Sequence, residues 1–515
     1  MLTNLKKSIF GSEPQQRCGS SKSSMLGAAY LHKDNEYVTH STLHHSDSAI
    51  VTFTPIHALI AIAFIILSLL LLHFVGPLTF AILFVVALSL LYFTDLLFNL
   101  FIVFRSFQTS TEVDINKGDF HEYQDFEWPM YTIFCPLYKE AAVLGQFVDS
   151  IKNLDYPKNK LEVLLLMEED DSESISAAEE IDLPAYIKVV VVPHSFPKTK
   201  PKAVNFGLSQ AKGKYAVIYD AEDIVEPDQL KKAVIAFSKV DESIVCLQAK
   251  LNFYNARQNI LTRLFTAEYS LWFDLILPGL QSISAPIPLG GTSNNFIVDK
   301  LNELEGWDPF NVTEDCDLGI RLWKNGYKTA VIDSTTWEEA NSQVGNWFRQ
   351  RSRWIKGYIQ TILVQYKKPL TLVRENLNIH LFSFNLIVVG KVLSVFINPL
   401  MWLITLLYFA SRTQFGSGIE ALFPAQIYYI AVVSLVFGNF LYLYYMVLGM
   451  ARRTYWDLII YFPLIPLYWL MISAASWLAL YQLIVKPHYW EKTVHGLHLN
   501  KEVAFNYVPT VSDTK

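Results

Sequence analysis

Cysteine is scarce in this sequence, and it is not arranged for cross-linking or for metal binding. The 515 residues include four cysteines, Cys18, Cys135, Cys246 and Cys316. They are widely spaced, form no CxxC pair and have no histidine partners at metal-ligand spacing. This pattern favours reduced thiols in a cytoplasmic domain over a disulfide framework or a zinc site.

Charge is also scarce, and it is unevenly distributed. Charged residues make up 17% of the chain and are concentrated between about Arg105 and Arg374. The formal net charge of −6 averages over unlike regions and gives no case for nucleic-acid binding. Lys6 and Lys7 precede no long apolar run, so the N-terminus lacks the pattern of a signal peptide. We predict that residues 1–54 form a largely disordered cytoplasmic tail.

What the sequence does contain is long apolar stretches rich in aromatic residues. Hydrophobic residues make up 52% of the chain, with 12 Trp, 27 Tyr and 34 Phe, and this composition indicates an integral membrane protein. The runs Ile56–Val75 and Leu78–Phe104 predict a transmembrane hairpin over residues 55–104. Basic residues on both sides of the hairpin place its ends in the cytoplasm. Interfacial placement explains Asp95 and Asn99 near its cytoplasmic end, and a polar lining for something passing through is the alternative.

A second membrane block is predicted over residues 376–487. It consists of an interfacial helix followed by about three to four transmembrane segments. Its last apolar stretch, Leu458–Val485, is interrupted by prolines and lies between two basic segments that are predicted to be cytoplasmic. That stretch therefore enters the bilayer and returns, or turns into an interfacial helix. Residues 488–515 form a C-terminal tail.

Between the membrane blocks, residues 105–375 have the alternating pattern of an α/β domain. Short apolar strands are predicted near 131–138, 161–171, 187–192 and 214–223, separated by helical segments. Their continuous apolar character indicates a mostly parallel sheet covered on both faces. Ligands bind such sheets at the carboxyl ends of the strands. This chain places its acids there: Glu140, Asp170, Asp171, Asp220, Glu222 and Asp223.

Two groups at this edge of the sheet suit a ligand that carries phosphate. The DAED turn presents the carboxylates of Asp220, Glu222 and Asp223, which suit Mg²⁺ or Mn²⁺ bridging to a diphosphate. A solvated turn is the structural alternative for that motif alone. Cations near a helix N-terminus suit phosphate binding, although a solvated basic loop would have the same composition. The cations in question are Lys198, Lys200 and Lys202.

A second acid pair, Glu314 and Asp315, follows farther along the chain, after the GGTSNN sequence at residues 290–295. A carboxylate near an acceptor hydroxyl can act as general base for an in-line displacement. Capping of the following helix by Thr313 and Asp315 is the structural alternative, and one residue can do both.

The last group lies on an amphipathic helix predicted over residues 341–366. Gln350, Arg353 and Trp354 occur at i, i+3 and i+4, so they share one helical face. The apolar stripe of this helix by itself indicates a helix on a membrane surface. The order along the chain, with two acid groups before this aromatic and basic helix, favours a transferase site.

At these residues the sequence resembles the processive family 2 glycosyltransferases, which include cellulose, chitin, hyaluronan and mannan synthases. The family pattern of D, DxD, TED and QxxRW is matched by Asp170–Asp171, Asp220–Asp223, Thr313–Asp315 and Gln350–Trp354. The second acid of DxD is Glu222, followed by Asp223, and this departure leaves the metal ligands open. The C-terminal block is also similar to that of bacterial members of the group.

The resemblance implies a GT-A (Rossmann-like) catalytic domain, inserted between transmembrane helices, that binds a UDP- or GDP-linked sugar with Mg²⁺ or Mn²⁺ on the diphosphate. It implies a catalytic role for Asp315 and Glu314, with Asp315 as the base. It implies acceptor contacts for Gln350 and Trp354, with Trp354 under the acceptor sugar at the mouth of a channel. Donor contacts are implied for Tyr138, Glu140, Asp170 or Asp171, Lys202 and Arg353.

The sequence therefore predicts an inverting, metal-dependent hexosyltransferase of the bacterial inner membrane, with its catalytic domain in the cytoplasm. Its expected partners are a nucleotide sugar, a growing β-linked glycan and the lipid bilayer, with export and any accessory partner left open. One alternative is a non-processive enzyme that transfers a sugar to a lipid carrier. Another is a nucleotide-binding transporter without transferase chemistry, against which the paucity of charge in the spans argues.

Overall fold

The computed structural model describes residues 15–17, 29–32, 35–38, 40–44, 46–108, 111–123, 126–376 and 379–491. Its strands are β1 (Gln15–Arg17), β2 (Ala29–His32), β3 (Asn35–Val38), β4 (Tyr131–Leu137), β5 (Leu161–Glu168), β6 (Ile187–Val192), β7 (Tyr215–Ile218), β8 (Ile224–Val225), β9 (Ile244–Phe253), β10 (Asn294–Ile297) and β11 (Lys328–Glu338). Its first ten helices are α1 (Pro55–Val75), α2 (Pro77–Phe107), α3 (Lys117–Glu122), α4 (Ala141–Lys152), α5 (Ser172–Glu180), α6 (Lys200–Leu208), α7 (Gln229–Lys239), α8 (Ile260–Leu271), α9 (Leu277–Ser282) and α10 (Val298–Glu303). The remaining helices are α11 (Glu314–Lys324), α12 (Val344–Gln365), α13 (Pro369–Asn376), α14 (Ile379–Phe384), α15 (Lys391–Ala410), α16 (Arg412–Glu420), α17 (Ala425–Arg452) and α18 (Ile465–Val485).

The middle of the chain forms an eight-stranded sheet in the order β6-β5-β4-β7-β10-β9-β11-β8. Strands β6, β5, β4 and β7 run parallel to one another, and β9 runs parallel to β11. Strand β10 is antiparallel to both of its neighbours, and β8 is antiparallel to β11. All residues of β5 are buried, as expected for a strand covered on both faces. The prediction of a mostly parallel α/β sheet is confirmed.

One face of this sheet shares its apolar core with the membrane helices. Phe134 of β4, Phe265 of α8, Tyr445 of α17 and Tyr468 of α18 belong to a single cluster of buried side chains. The opposite face is covered separately, with Phe147 of α4 among its largest buried side chains. This face of the sheet is therefore held against the membrane block by packing.

Five helical segments are long and apolar enough to cross a membrane, judged over the described residues, which indicates a membrane protein. They are Pro55–Val75, Pro77–Phe107, Leu381–Ala410, Ala425–Arg452 and Trp456–Val485.

The last of these five segments is in contact with the middle domain at both ends. Arg257 Nε lies 2.8 Å from Asp457 Oδ2 near its start. The guanidinium of Arg353 lies 4.4 Å from the ring centroid of Trp490, just beyond its end. Both ends of this segment therefore lie beside the middle domain, and the two predicted alternatives, a return through the bilayer or a turn into an interfacial helix, stay predictions.

The N-terminal segment differs from the prediction of a largely disordered tail. Strands β1, β2 and β3 form a small antiparallel sheet. Ser48 Oγ and Ala49 N donate to the two carboxylate oxygens of Asp308, at 2.7 and 2.6 Å. Hydrogen bonds to this buried carboxylate fix the segment in a way that its polar composition does not show. The rest of the predicted N-terminal tail, and residues 492–515 of the C-terminal tail, lie outside the described residues.

Candidate active site

The DAED turn connects β7 to β8 and divides its acids between two roles. Asp223 is 1% exposed, and its Oδ2 accepts hydrogen bonds from Asp220 N at 2.8 Å and Thr292 Oγ1 at 2.5 Å. Asp223 therefore holds the turn closed. Asp220 and Glu222 line a large cavity beside the sheet. Of the three predicted metal ligands, the structure places these two on the cavity.

The three lysines are also divided, because α6 begins at Lys200. Lys200 Nζ forms an ion pair with Asp220 and donates to Gly291 O at 2.8 Å, and its side chain lines the cavity. Lys202 is fully buried, donates to Glu168 Oε2 at 2.7 Å and is not part of the described lining. The structure thus places Lys200 where the sequence analysis expected Lys202. The lysine cluster was visible in the sequence. Which lysine faces the cavity, however, depends on the direction in which each side chain leaves α6.

The second acid pair lies across the 290–295 loop from the first. Glu314 opens α11, and Glu314 and Asp315 both line the cavity. A Cβ built on Gly291 would lie 3.4 Å from Asp315 Oδ2, so the loop runs directly beside this carboxylate. Asp315 Oδ1 accepts a hydrogen bond from Cys316 N at 2.7 Å, whereas Thr313 Oγ1 bonds back to Asn311. The capping alternative accounts for one oxygen of Asp315 and leaves the other beside the cavity.

Carboxylates crowd this part of the cavity. Burial, together with the charge of Asp220, raises the pKa of Glu222 to about 8. Burial, together with the charge of Asp315, raises the pKa of Glu314 to about 8. Burial also raises the pKa of Asp315. Such shifts mark a site where added positive charge would be strongly favoured.

The donor set of this site fits a divalent cation that a ligand completes. Within the described residues, no three His, Cys, Asp or Glu side chains are grouped to hold a metal ion by themselves. Mg²⁺, however, is usually held by one or two carboxylates together with substrate phosphates. Asp220 and Glu222 supply two hard carboxylate groups on the cavity wall.

Helix α12 also contributes to the cavity wall, with the three side chains that its helical spacing placed on one face. Gln350, Arg353 and Trp354 all line the cavity. Arg353 Nη1 donates to Val312 O at 2.9 Å, while its buried Nε has no hydrogen-bond partner among the described residues. Burial lowers the pKa of Arg353, and the nearby carboxylates of the cavity oppose that shift. The guanidinium therefore retains a donor for an anionic ligand.

The indole of Trp354 is fixed by its neighbours. Tyr269 stacks near it with ring centroids 6.3 Å apart and an interplanar angle of 29°. The guanidinium of Arg351 lies 4.8 Å from the indole centroid and is held by a paired contact with Glu268 at 2.6 and 2.8 Å. Arg351 thus anchors the helix, and both Arg351 and Trp354 contribute to the cavity lining.

The predicted nucleotide contacts are partly brought together. Tyr138 and Glu140, which follow β4, line the cavity. The described lining includes Glu168 but neither Asp170 nor Asp171. Asp170 pairs with Lys198. Asp171 is 2% exposed and accepts hydrogen bonds from Lys139 N and Ser174 N, so it joins the loop after β4 to α5.

Among the residues of the cavity wall that sequence reasoning missed are two glutamates and a tryptophan. Glu338 and Glu339 stand at the end of β11 and face the DAED turn, and Trp490 arrives from beyond α18. Acidic residues at the end of an apolar strand were the signal that identified the acids after β7. The same signal could have identified Glu338 and Glu339 at the end of β11. No local sequence signal marked Trp490, because its position depends on how the chain beyond α18 packs against Arg353.

The cavity continues from this site into the membrane block. It has a volume of about 660 Å³, and its lining includes Tyr138, Asp315 and Trp354 of the middle domain together with Lys391 and Trp402 of the membrane block. Asp95 and Asn99 of α2 also line it. The sequence analysis offered a polar lining as the alternative to interfacial placement for Asp95 and Asn99, and both side chains do line the cavity.

Comparison with known proteins gives the family context. Residues 129–357 match the family model described as "Glycosyltransferase like family 2". The chain is 26% identical over 307 residues to "Probable glycosyltransferase YdaM" of Bacillus subtilis (strain 168), covering 59% of this chain and 72% of that protein. These matches support a family 2 glycosyltransferase. Its mixed, mostly parallel sheet is that of the GT-A fold.

Two further relatives match the chain over shorter spans. "Probable glucomannan 4-beta-mannosyltransferase 7" of Oryza sativa subsp. japonica is 27% identical over 242 residues, covering 45% of this chain and 41% of the relative. "Beta-monoglucosyldiacylglycerol synthase" of Trichormus variabilis is 26% identical over 241 residues, covering 46% and 50%. The chain thus spans half or less of the length of these two relatives.

Solved structures are similar at lower identity. A Pyrobaculum calidifontis mannosyltransferase in complex with GDP-Man and Mn²⁺ aligns with a TM-score of 0.43 and 17% identity, covering 73% of this chain and 99% of that chain. S. aureus TarS in complex with UDP aligns with a TM-score of 0.35 and 14% identity, covering 69% and 90%.

Proposed function

We propose that this protein is a membrane-bound, inverting glycosyltransferase that extends a β-linked polysaccharide from a nucleotide sugar. The observation that carries the proposal is the single cavity shared by the two acid groups, Arg353 and Trp354, and the membrane helices. A donor at the strand ends and an acceptor beside Trp354 would meet next to Asp315. The extended chain would then have a continuous path toward the membrane.

The proposed step is one displacement at the anomeric carbon of the donor. The acceptor hydroxyl gives its proton to the Asp315 carboxylate as its oxygen forms the new bond to that carbon. The bond between the carbon and the diphosphate breaks, and the nucleoside diphosphate leaves with the electron pair. Attack from the face opposite the leaving group inverts the configuration, so an α-linked donor yields a β-linked product.

The second acid, Glu314, and the 290–295 loop place Asp315 for this role. Gly291 lies directly beside Asp315 and, through its carbonyl, also holds Lys200. Lys200 and Arg353 both supply positive charge to the same cavity, where they would bind the phosphates. Tyr138 and Glu140 would contact the nucleoside.

Asp220 and Glu222 would hold a divalent cation, Mg²⁺ or Mn²⁺, that also binds the donor diphosphate. When bound, such an ion neutralises charge on the leaving group. The hydrogen bonds that Asp223 accepts from Asp220 N and Thr292 Oγ1 keep Asp220 and Glu222 in one tight turn.

The proposed location is the bacterial inner membrane, with the catalytic domain on the cytoplasmic side. The basic residues that flank the first hairpin and the mostly uncharged spans support this orientation. Nucleotide sugars would reach the cavity from the cytoplasm, and Trp354 would bind the acceptor where the cavity passes into the membrane block.

A donor screen tests the proposal. Purified protein in detergent is incubated with individual UDP- and GDP-sugars, nucleoside diphosphate release is measured, and the product is examined for chain length, linkage and anomeric configuration. The expected result is release with one donor and a β-linked chain of many units. A single sugar on a lipid would favour the non-processive alternative, and donor binding without release would favour a transporter.

A further inference from the structure

A polar cluster lies in the part of the cavity that is lined by the membrane helices, which we call the neck. Lys391, the first residue of α15, lies 3.3 Å from a carboxylate oxygen of Asp95 and 3.3 Å from Asn99 Oδ1, both on α2. Tyr442 of α17 contacts Lys391 and lies 3.4 Å from Asp95 Oδ2. Three helices thus contribute a cation, an anion, an amide and a phenol to one point, and all four side chains line the cavity.

Polar groups continue beyond this point. Asn398 lies about two helical turns farther along α15 than Lys391, and it accepts a hydrogen bond from Tyr92 OH at 2.6 Å. Ser394, Asn439 and Trp402 line the same stretch. Hydroxyls, amides and an indole are the groups that bind sugar rings through hydrogen bonds and flat apolar contact.

The charge of this stretch is balanced. Among the described residues, Asp95 and Lys391 are the only charged side chains that the membrane helices α2, α15, α17 and α18 contribute to the cavity lining. They are paired with each other. A chain that carried carboxylates would enter a neck with no excess positive charge, and burying unpaired charge there is costly. A chain of uncharged hexoses would lose hydrogen bonds to water and form hydrogen bonds to the polar side chains of the neck instead.

We propose that Asp95, Asn99, Lys391 and Tyr442 form a binding subsite for an uncharged glycan chain, with the Asp95–Lys391 pair excluding glycans that carry uronic acids. This inference rests on the proposed function and narrows its product to a neutral polysaccharide. The carboxylate of Asp95 and the phenol of Tyr442 accept hydrogen bonds from sugar hydroxyls, while Lys391 donates to ring or hydroxyl oxygens.

Binding of preformed oligosaccharides tests the subsite without relying on transfer. The probes are neutral β-linked hexose oligosaccharides and uronic-acid oligosaccharides of the same length, titrated into purified full-length protein by calorimetry. The native protein should bind the neutral probe at least about tenfold more tightly, which corresponds to about 1.4 kcal/mol. Equal affinities for the two probes would overturn the proposal.

The sharpest variant is Asp95→Asn, because it frees the charge of Lys391 and keeps the side-chain shape. It should raise affinity for the uronic-acid probe by about tenfold, on the scale of hydrogen bonds to charged groups. Tyr442→Phe leaves the ion pair in place. It should lower the affinity for the neutral probe severalfold and leave the affinity for the uronic-acid probe unchanged. If neither variant alters the preference between probes, the cluster only joins helices and the proposal is wrong.

The matched control is Asp457→Asn, which breaks an exposed ion pair with Arg257 outside the described cavity lining. It should leave both probe affinities unchanged. Nucleoside diphosphate release is measured in parallel on the same samples. Lack of release from any donor by the native protein would contradict the proposed function, whereas normal release with no preference for neutral probes would contradict only the subsite.

Discussion

Gly357 of α12 packs directly on Thr313, the residue that precedes α11. A Cβ built on Gly357 would lie 2.2 Å from Thr313 Oγ1 and 2.7 Å from its Cβ. One turn away, Asn311 Nδ2 donates to Thr361 Oγ1 at 2.9 Å. This contact brings the helix that carries Arg353 and Trp354 against the start of the helix that carries the acid pair. The two helices can share a cavity because a glycine allows their backbones to approach.

Gly357→Ala should therefore separate the two helices. Because Thr313 is buried and cannot rotate away, we expect a cost of about 1–3 kcal/mol in the free energy of unfolding, as for an overpacked core. Thermal unfolding in detergent and the rate of transfer measure the effect. Gly345→Ala is the control in the same helix, since a Cβ there meets nothing within 4 Å. Equal behaviour of the two variants would contradict the close approach.

Asp315→Asn should abolish transfer and spare donor binding. It removes the proposed base while keeping the shape of the side chain, and loss of a general base costs about a hundredfold to ten-thousandfold in rate. Transfer rate and donor affinity are measured separately. Asp317→Asn is the control from the same turn. Asp317 pairs with Arg321 at 2.8 Å, so that change should lower the unfolding temperature. Transfer by Asp315→Asn at a near-native rate would exclude Asp315 as the base.

Removal of divalent cations should abolish transfer, and Mg²⁺ or Mn²⁺ should restore it. Glu222→Gln should weaken Mn²⁺ binding. Electron paramagnetic resonance of the bound ion measures this change in affinity. Asp223→Asn should instead reduce the stability of the DAED turn, because Asp223 accepts hydrogen bonds from Thr292 and from the backbone of Asp220. Full activity in excess chelator would refute the metal role of Asp220 and Glu222.

Lys200→Met and Lys202→Met should have different consequences. Lys200 lines the cavity, so its loss should raise the KM for the donor with little change in unfolding temperature. Lys202 is paired with buried Glu168 at 2.7 Å. Breaking a buried pair by removing one partner costs about 3–5 kcal/mol, so that variant should be the less stable one. A rise in donor KM for Lys202→Met alone would reverse the assignment made from the structure.

Trp354→Ala should weaken use of the acceptor by about 1–3 kcal/mol, the scale of aromatic stacking on a flat ring. Kinetics with elongated acceptors measure this, and donor affinity provides the internal comparison. Trp354→Phe retains an aromatic face and should recover part of the loss. Unchanged kinetics for Trp354→Ala would favour a helix that only lies on the membrane surface.

Much of the fold and part of the site could be predicted from local patterns. The buried runs of β4, β5, β6 and β7 were recognisable because continuous apolar strands occur in parallel sheets. The spacing of Gln350, Arg353 and Trp354 placed them on one helical face, and all three line the cavity. Local sequence could not distinguish Lys200 from Lys202, or Glu222 from Asp223, because residues two apart or adjacent turn to different sides of the same short element.

The sequence by itself determined the layout of two apolar blocks around an α/β domain, the strand-end acids and the helix that faces them. These follow from periodicity and composition, which act over a few residues. Only the tertiary structure decided that Thr313 and Gly357 touch, that Trp490 lines the cavity, and that Asp95 of α2 meets Lys391 of α15. Such contacts join residues far apart in the chain, and packing of the whole core selects them.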